Sequence, residues 1–267
     1  GVTAALDMNG DPVAMAAGLQ AASTGLTVGF LYPVAPGNTV SGHDPDAAEL
    51  NRVAREAREA GAFGLKVLGG HYPLTPRATR RVLEIAAELG LYAAVHAGTS
   101  ESGSNIRGLE ELIGLAAGLP VHIAHINSYC RGQTGRDPVE EALAALKLLR
   151  GAANVRSESY LGLINGTNGE LVNGAPKSNV TKTCLARRGY SLDQAGMEAA
   201  IRDGWARVHG RRDDDCVLLP PEEGLAAFRA AGSRIHLSFQ VNSPAAAIVL
   251  ATAKHADGRF VVDAIST

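Results

Sequence analysis

The sequence predicts an α/β protein built as most of an eight-stranded parallel β/α (TIM-type) barrel. Three observations carry this prediction. Short apolar, β-rich runs alternate with helical runs along the chain. The length of 267 residues suits one large barrel and is too short for a barrel plus a substantial second domain. The turn after the first apolar run, Met8-Asn9-Gly10-Asp11, is not the glycine-rich phosphate turn that marks a doubly wound open sheet.

Taken in order, Val2–Met8 reads as a strand, and Asp11–Ser23 as a helix with Pro12 near its start. Leu26–Val34 is the next strand, closed by Pro33, Pro36 and Gly37. Asp46–Ala60 is helical and is entered through Asp44-Pro45. Phe63–Leu68 is a strand, broken by Gly69-Gly70-His71. Thr75-Pro76 opens a helix that runs through Leu89 and stops at Gly90. Leu91–His96 is a strand, Ile106–Ala117 a helix, Pro120–Ile126 a strand, Pro138–Leu149 a helix and Val155–Tyr160 a strand. The helix Pro244–His255 and the strand Phe260–Ile265 complete the pattern. Strands spaced mostly by single helices argue for a parallel sheet with right-handed crossovers. Both ends read as cut from a longer protein. On this frame the first barrel strand precedes Gly1 and the last strand is cut at its end.

Leu161–Gly232 breaks the rhythm. It opens with Gly and Asn, then carries helical runs at Ser191–Val208 and Pro221–Ala231. The charge run Arg211–Asp215 between them reads as a solvated turn. The expectation is one barrel over residues 1–267 with an insertion at about 161–232, either a lid or specificity loop at the catalytic face or a peripheral extension.

Net charge is −2, with no basic patch, which argues against nucleic acid. No apolar run approaches the ~20 residues of a membrane span. The opening residues read as a strand and not as a signal peptide. Cys130, Cys184 and Cys216 are scattered without CxxC spacing, which points to a reducing, cytoplasmic setting. A small-molecule substrate is the partner expected, and homo-oligomerisation is left open.

Barrel active sites are built from residues at the C-terminal ends of strands. Three successive strands place a polar residue there: Lys66, His96 and His125. A bare ammonium inside an apolar strand is costly, so Lys66 must be deprotonated, paired or converted to a carbamate. His96 and His125 each end an apolar strand and can offer a neutral nitrogen to a metal. One strand histidine alone is usually a satisfied core or surface residue; the weight comes from shared position. His122 competes with His125, because residues three apart on a strand face opposite sides; His125 is favoured for its place at the strand end. His71 and Tyr72 are candidates to hydrogen-bond an oxyanion. Asn127, Ser128, Tyr129 and Arg131 are candidates to read a substrate carboxylate or amide, Arg131 in bidentate fashion. Ser157, Glu158 and Tyr160 are expected to face the same mouth, and Lys177, Ser178 and Asn179 to reach it from the insertion. Cys130 is a minor candidate nucleophile.

This order of Lys, His and His on consecutive strands resembles the amidohydrolase superfamily. Ala124-His125-Ile126-Asn127 is similar to the sixth-strand histidine segment of its dihydroorotase, hydantoinase and isoaspartyl-dipeptidase members, and N-acyl-D-amino-acid deacylases belong to the same branch. Val95-His96 with Thr99 and Ser102-Gly103 is similar to the fifth strand of urease. Gly1–Met8 looks like the superfamily's second strand. The resemblance covers Gly1 to about Tyr160 and is weaker beyond. It implies that Lys66 is a carboxylated lysine bridging divalent metals, one or two ions and zinc first among them, with His96 and His125 as further ligands. It implies hydrolysis of an amide, cyclic amide or ureido C–N bond by metal-activated water. The superfamily's His-x-His pair would lie before Gly1 and its last-strand aspartate at or just past Thr267, with Asp263 a weak substitute. Two other readings stand beside this one: a Schiff-base aldolase or lyase using Lys66, and an inactive, binding-only homologue.

Overall fold

The structure, a computed structural model, describes residues 3–22, 25–213, 215–231 and 235–266. The expected element ends at Val2, Ser23, Gly232 and Thr267, and Asp214 of the charge run, lie outside the described residues. The chain divides into two compact units, Gly1–Leu161 with Ser243–Thr267, and Gly162–Asn242.

In chain order the first unit carries β1 (Ala4–Asp7), β2 (Thr27–Val34), β3 (Gly64–Val67), β4 (Tyr92–Val95), β5 (Val121–Ile123) and β6 (Val155–Tyr160). The second carries β7 (Ile164–Asn168), β8 (Leu171–Val172), β9 (Ala175–Pro176), β10 (Ala206–Arg212), β11 (Asp215–Leu218) and β12 (His236–Gln240), and β13 (Ala264–Ser266) returns to the first. The helices are α1 (Pro12–Ala21), α2 (Ala47–Glu59), α3 (Pro76–Leu89), α4 (Ile106–Leu115), α5 (Pro138–Arg150), α6 (Asn179–Ala186), α7 (Gln194–Arg202), α8 (Pro221–Ala231) and α9 (Pro244–Thr252).

The first unit is a seven-stranded parallel sheet in the order β1-β2-β3-β4-β5-β6-β13. It is a half-barrel sheet with its helices on one face, consistent with part of a TIM-type barrel. The helix starts follow from side-chain caps: Asp46, Thr75, Asn105 and Asp137 each accept an N–H from the first turn. Gly90 ends α3 in the left-handed conformation, φ 65°. Leu65, Val67, Ala93, Val95, Val121, Ile123 and Val155 belong to the core of this unit. They alternate with Lys66, Ala94 and His122, which the register sets level with one another across β3, β4 and β5. The sheet therefore buries apolar side chains under the helices and turns its polar residues to the other face.

Each expected strand of this sheet is found, but the last is displaced. Phe260 makes an isolated antiparallel bridge with Lys254, and the parallel ladder begins only at Ala264. Among the described residues no helix is long and apolar enough to cross a membrane.

The second unit holds a four-stranded antiparallel sheet, β11-β10-β12-β7, beside the β8–β9 hairpin. It has its own core, including Leu185, Met197, Ile201, Trp205, Val208, Leu237 and Phe239. Two sequence expectations fail here. The helix expected over Ser191–Val208 ends at Arg202, and Ala206–Arg212 is a strand, because Ala206 and Val208 alternate with Arg207 and His209 at the strand period. The unit also runs on to Asn242, because His236–Gln240 pairs with both β10 and β7.

Candidate functional site

Lys66 sits in β3, 2 % exposed, and its ammonium has no hydrogen-bond partner among the described residues. Burial pulls its pKa down to about 8, opposed by the Glu158 carboxylate. Immediately after β3 the chain passes very close to the next strand end. A Cβ on Gly69 would lie 1.9 Å from the His96 carbonyl oxygen, so this crossing requires glycine. The Gly70 N–H then donates to Gly98 O at 3.0 Å.

His96 follows β4, and its N–H donates to Val67 O at 2.9 Å, continuing the ladder. Its Nε2 is hydrogen-bonded to Ser104 Oγ at 2.7 Å. Ser104 is fixed by a braced loop, in which Thr99 Oγ1 and Ser102 Oγ both donate to the Glu111 carboxylate of α4, at 2.7 and 2.6 Å. Burial, with His125 and His71 nearby, holds His96 well below the usual imidazole range, so its ring is neutral at neutral pH.

His125 lies just past β5 in the left-handed region, φ 55°, ψ 55°. That conformation costs a non-glycine residue about 1–2 kcal/mol. It also ends the strand alternation, and this corrects the assumption that only one of His122 and His125 can use the inner face. His125 Nδ1–H donates to Glu158 Oε1 at 3.2 Å, while His122 Nε2 lies 3.9 Å from Glu158 Oε2. Both histidines thus flank one carboxylate. The His122 ring is hydrogen-bonded through Nδ1 to Tyr92 OH at 2.5 Å, and burial keeps it below the usual imidazole range. The hydrogen bond from His125 holds the Glu158 carboxyl below its usual range.

The rings form a row. His71 and His96 have centroids 5.7 Å apart, His96 and His125 5.6 Å, and His125 and Tyr160 6.2 Å. His71 is also held below the usual imidazole range by burial. Tyr72, its neighbour, is 42 % exposed. Asn127 is buried; its Nδ2 donates to Tyr160 O at 3.2 Å and its Oδ1 has no partner among the described residues. Arg131 Nη2 donates to Ser128 Oγ at 3.1 Å and to Tyr160 OH at 3.2 Å.

Several expectations need correction. Tyr129 is fully buried, and its hydroxyl donates to Ala124 O at 2.6 Å while accepting the Ala97 N–H at 2.8 Å, so it braces two loops and does not read a ligand. Cys130 is buried, and burial pushes its thiol up to about 12, which disfavours the thiolate that a nucleophile needs. Ser157 lies on the opposite face of β6 from Glu158 and Tyr160. Its N–H donates to Asp263 Oδ2 at 2.8 Å. Asp263 precedes β13, ion-paired with Arg156 at 3.8 Å. Lys177 pairs with Glu170, and Ser178 caps α6, within the second unit. Ser104 was missed, for a serine on a loop carries no sequence signal of its own. Glu158 had a signal, an acid at the end of an apolar strand, but its partners were invisible without the backbone reversal at His125.

A divalent metal can be tested against these residues. Lys66, a buried amine without a hydrogen-bond partner among the described residues, would offer a metal a donor once its proton is lost. His96 and His125 each commit one ring nitrogen to Ser104 or Glu158, which leaves His96 Nδ1 and His125 Nε2 as the nitrogens with which each ring could meet an ion. Among the described residues no three His, Cys, Asp or Glu side chains form a ligand group by themselves. The donors fit a metal as a partial set, with Lys66 as the third member.

No family model matches the chain, and no curated protein sequence matches it. Solved structures do. A D-aminoacylase, described as defining a novel subset of amidohydrolases, matches with a TM-score of 0.52 at 15% identity, over 88% of this chain and 48% of its own. An N-acyl-D-glutamate deacylase from Bordetella bronchiseptica, solved with zinc and a phosphonate inhibitor, matches with a TM-score of 0.50 at 14% identity, over 86% and 47%. A D-aminoacylase described by its binuclear metal centre matches with a TM-score of 0.51 at 15% identity, over 87% and 47%. The chain spans just under half the length of these proteins. At this identity the likeness is one of fold.

Proposed function

We propose that this chain carries part of the active site of a metal-dependent amidohydrolase that cleaves an amide, cyclic amide or ureido C–N bond, on a TIM-type barrel of eight strands. One observation supports this above the others. An unpartnered, buried lysine shares the end of one parallel sheet with two histidines whose rings stand 5.6 Å apart. Lys66, His96 and His125 would hold the ion, zinc or another divalent metal, which when bound polarises a carbonyl and activates water. Ser104 and Glu158 orient the two imidazoles. Arg131, held by Ser128 and Tyr160, would bind a substrate carboxylate, and Asn127 Oδ1 would accept from an amide N–H. The solved deacylases of this fold make N-acyl-D-amino acids the first substrates to try.

The whole protein of which this chain would carry part of the active site is to be assayed with N-acyl-D-amino acids, cyclic amides and ureido acids in the presence of zinc. Hydrolysis of one class is expected. Chelation should abolish it and zinc restore it, and Lys66→Ala should reduce it by about 10³-fold or more. Activity that survives both chelation and Lys66→Ala contradicts the proposal. A second reading has one observation in its favour: a buried amine without a hydrogen-bond partner among the described residues, its pKa pulled down by burial, suits a Schiff-base nucleophile. Borohydride trapping of a carbonyl compound on Lys66, in metal-free protein, would select that reading.

A further inference from the structure

We propose that Cys216, in the second unit, is a base-assisted thiol that exchanges with an anionic low-molecular-weight disulfide. Its residues all belong to the second unit. In the four-stranded sheet, Arg207 is level with Ser238 and Arg211 with Cys216. Strand alternation puts Arg207, His209 and Arg211 on one face, and Cys216 and Ser238 join them there. Val208, Leu237 and Phe239 occupy the other face, within the core. Gly166 is level with Ser238 and Asn168 with His236. A side chain at Gly166 would meet nothing, so the face opens there into a depression lined by Asn168, His209, Cys216, His236 and Ser238.

Three side chains in this depression are connected. His209 Nε2 is hydrogen-bonded to Ser238 Oγ at 2.5 Å, and Ser238 is buried. His209 Nδ1 lies 3.6 Å from Cys216 Sγ. With Nε2–H donated to Ser238, the Nδ1 lone pair is aimed at the thiol proton. Burial and the neighbouring His236 keep His209 below the usual imidazole range, so the ring is neutral at neutral pH and its Nδ1 lone pair is unprotonated and faces the thiol. Cys216 is exposed, whereas Cys130 and Cys184 are buried. Arg207 and Arg211 add positive charge to the same face, and the Arg207 Nε is buried without a hydrogen bond. Such a face favours an anionic reagent.

The step balances without a further oxidant. His209 takes the Cys216 proton as Sγ attacks one sulfur of the disulfide. The S–S bond breaks, the mixed disulfide forms, and the departing thiolate takes the proton from His209. One thiol and one disulfide become one mixed disulfide and one thiol.

The test treats the full chain with oxidised glutathione at neutral pH and follows each cysteine by peptide mapping. One glutathionyl group is expected, on Cys216, with Cys130 and Cys184 unmodified in the folded protein. Its rate should exceed that of the same cysteine in the urea-unfolded chain, and that in His209→Ala, by about tenfold or more. Cystamine, a cationic disulfide, should react more slowly than oxidised glutathione. Equal rates at Cys216 in folded and unfolded wild-type chain would overturn the base-assisted thiol, even if His209→Ala fails to fold. A folded His209→Ala that reacts as fast as the wild type would do the same, and faster reaction with cystamine would overturn the anion preference.

Discussion

Lys66 is the buried titratable side chain on which the proposed function rests. An ammonium with 2 % exposure and no partner is destabilising, and the same environment makes the neutral amine available. The pH dependence follows from its shift to about 8, below the ordinary lysine value of 10.5. Below pH 8 both folded and unfolded chains hold the proton, and the folded state bears the full cost. Between the two values the unfolded chain holds a proton that the folded chain has released, so stability rises with pH through that window. Lys66→Met is therefore expected to stabilise the metal-free protein by about 1–3 kcal/mol at pH 7, with the gap closing toward pH 10. Urea denaturation of both proteins across that range in bicarbonate-free buffer measures it. A variant less stable than the wild type at pH 7 would mean that Lys66 has a partner in solution.

At the scale of elements, the site is made by loops that strap one strand end to the next. Tyr129 is the clearest strap, since its hydroxyl joins the Ala97 N–H to the Ala124 carbonyl and so ties the segments carrying His96 and His125. Tyr129→Phe leaves both backbone groups buried without that partner. It should cost about 1–3 kcal/mol by urea unfolding and, if the proposed reaction holds, weaken catalysis although the residue touches no substrate. An unchanged stability would remove Tyr129 from this role. The strap also shows where sequence reading stops. The strands and helices of the first unit follow from apolar periodicity, proline and glycine, and Lys66, His96 and His125 from their places in that pattern. The tertiary contacts do not. Tyr129 looked like a ligand reader because it lies in a polar segment, yet it is fully buried. The alternation rule that favours His125 over His122 holds only inside a strand, and the φ of 55° at His125 suspends it. Asp263 was expected inside a strand that begins one residue later, at Ala264.

For the whole molecule, the described residues form two hydrophobic cores, one in each compact unit. The sequence signals of the second were weaker. Its main strands are antiparallel, and the helix that ends at Arg202 gives way to the alternation of β10 at Gly204, φ 72°, without a proline to mark the change. The single tryptophan, Trp205, lies in the second core, with Arg188 4.1 Å over its ring and its Nε1–H donating to Cys184 O at 2.9 Å. Its fluorescence therefore reports the second unit, while far-ultraviolet circular dichroism reports the helices of both. Separate cores predict separate urea midpoints by the two probes. Coincident transitions of the same steepness would show that the units unfold together.

The central claim is that Lys66, His96 and His125 together hold a divalent metal. The most direct measurement is the metal content of the purified protein by mass spectrometry, beside Lys66→Ala, His96→Ala and His125→Ala, each checked for folding by circular dichroism. Retained metal is expected in the wild type, zinc first among the candidates, and its loss in all three folded variants. Metal retained unchanged in the three folded variants, or absent from a wild type purified and incubated with zinc, would contradict it.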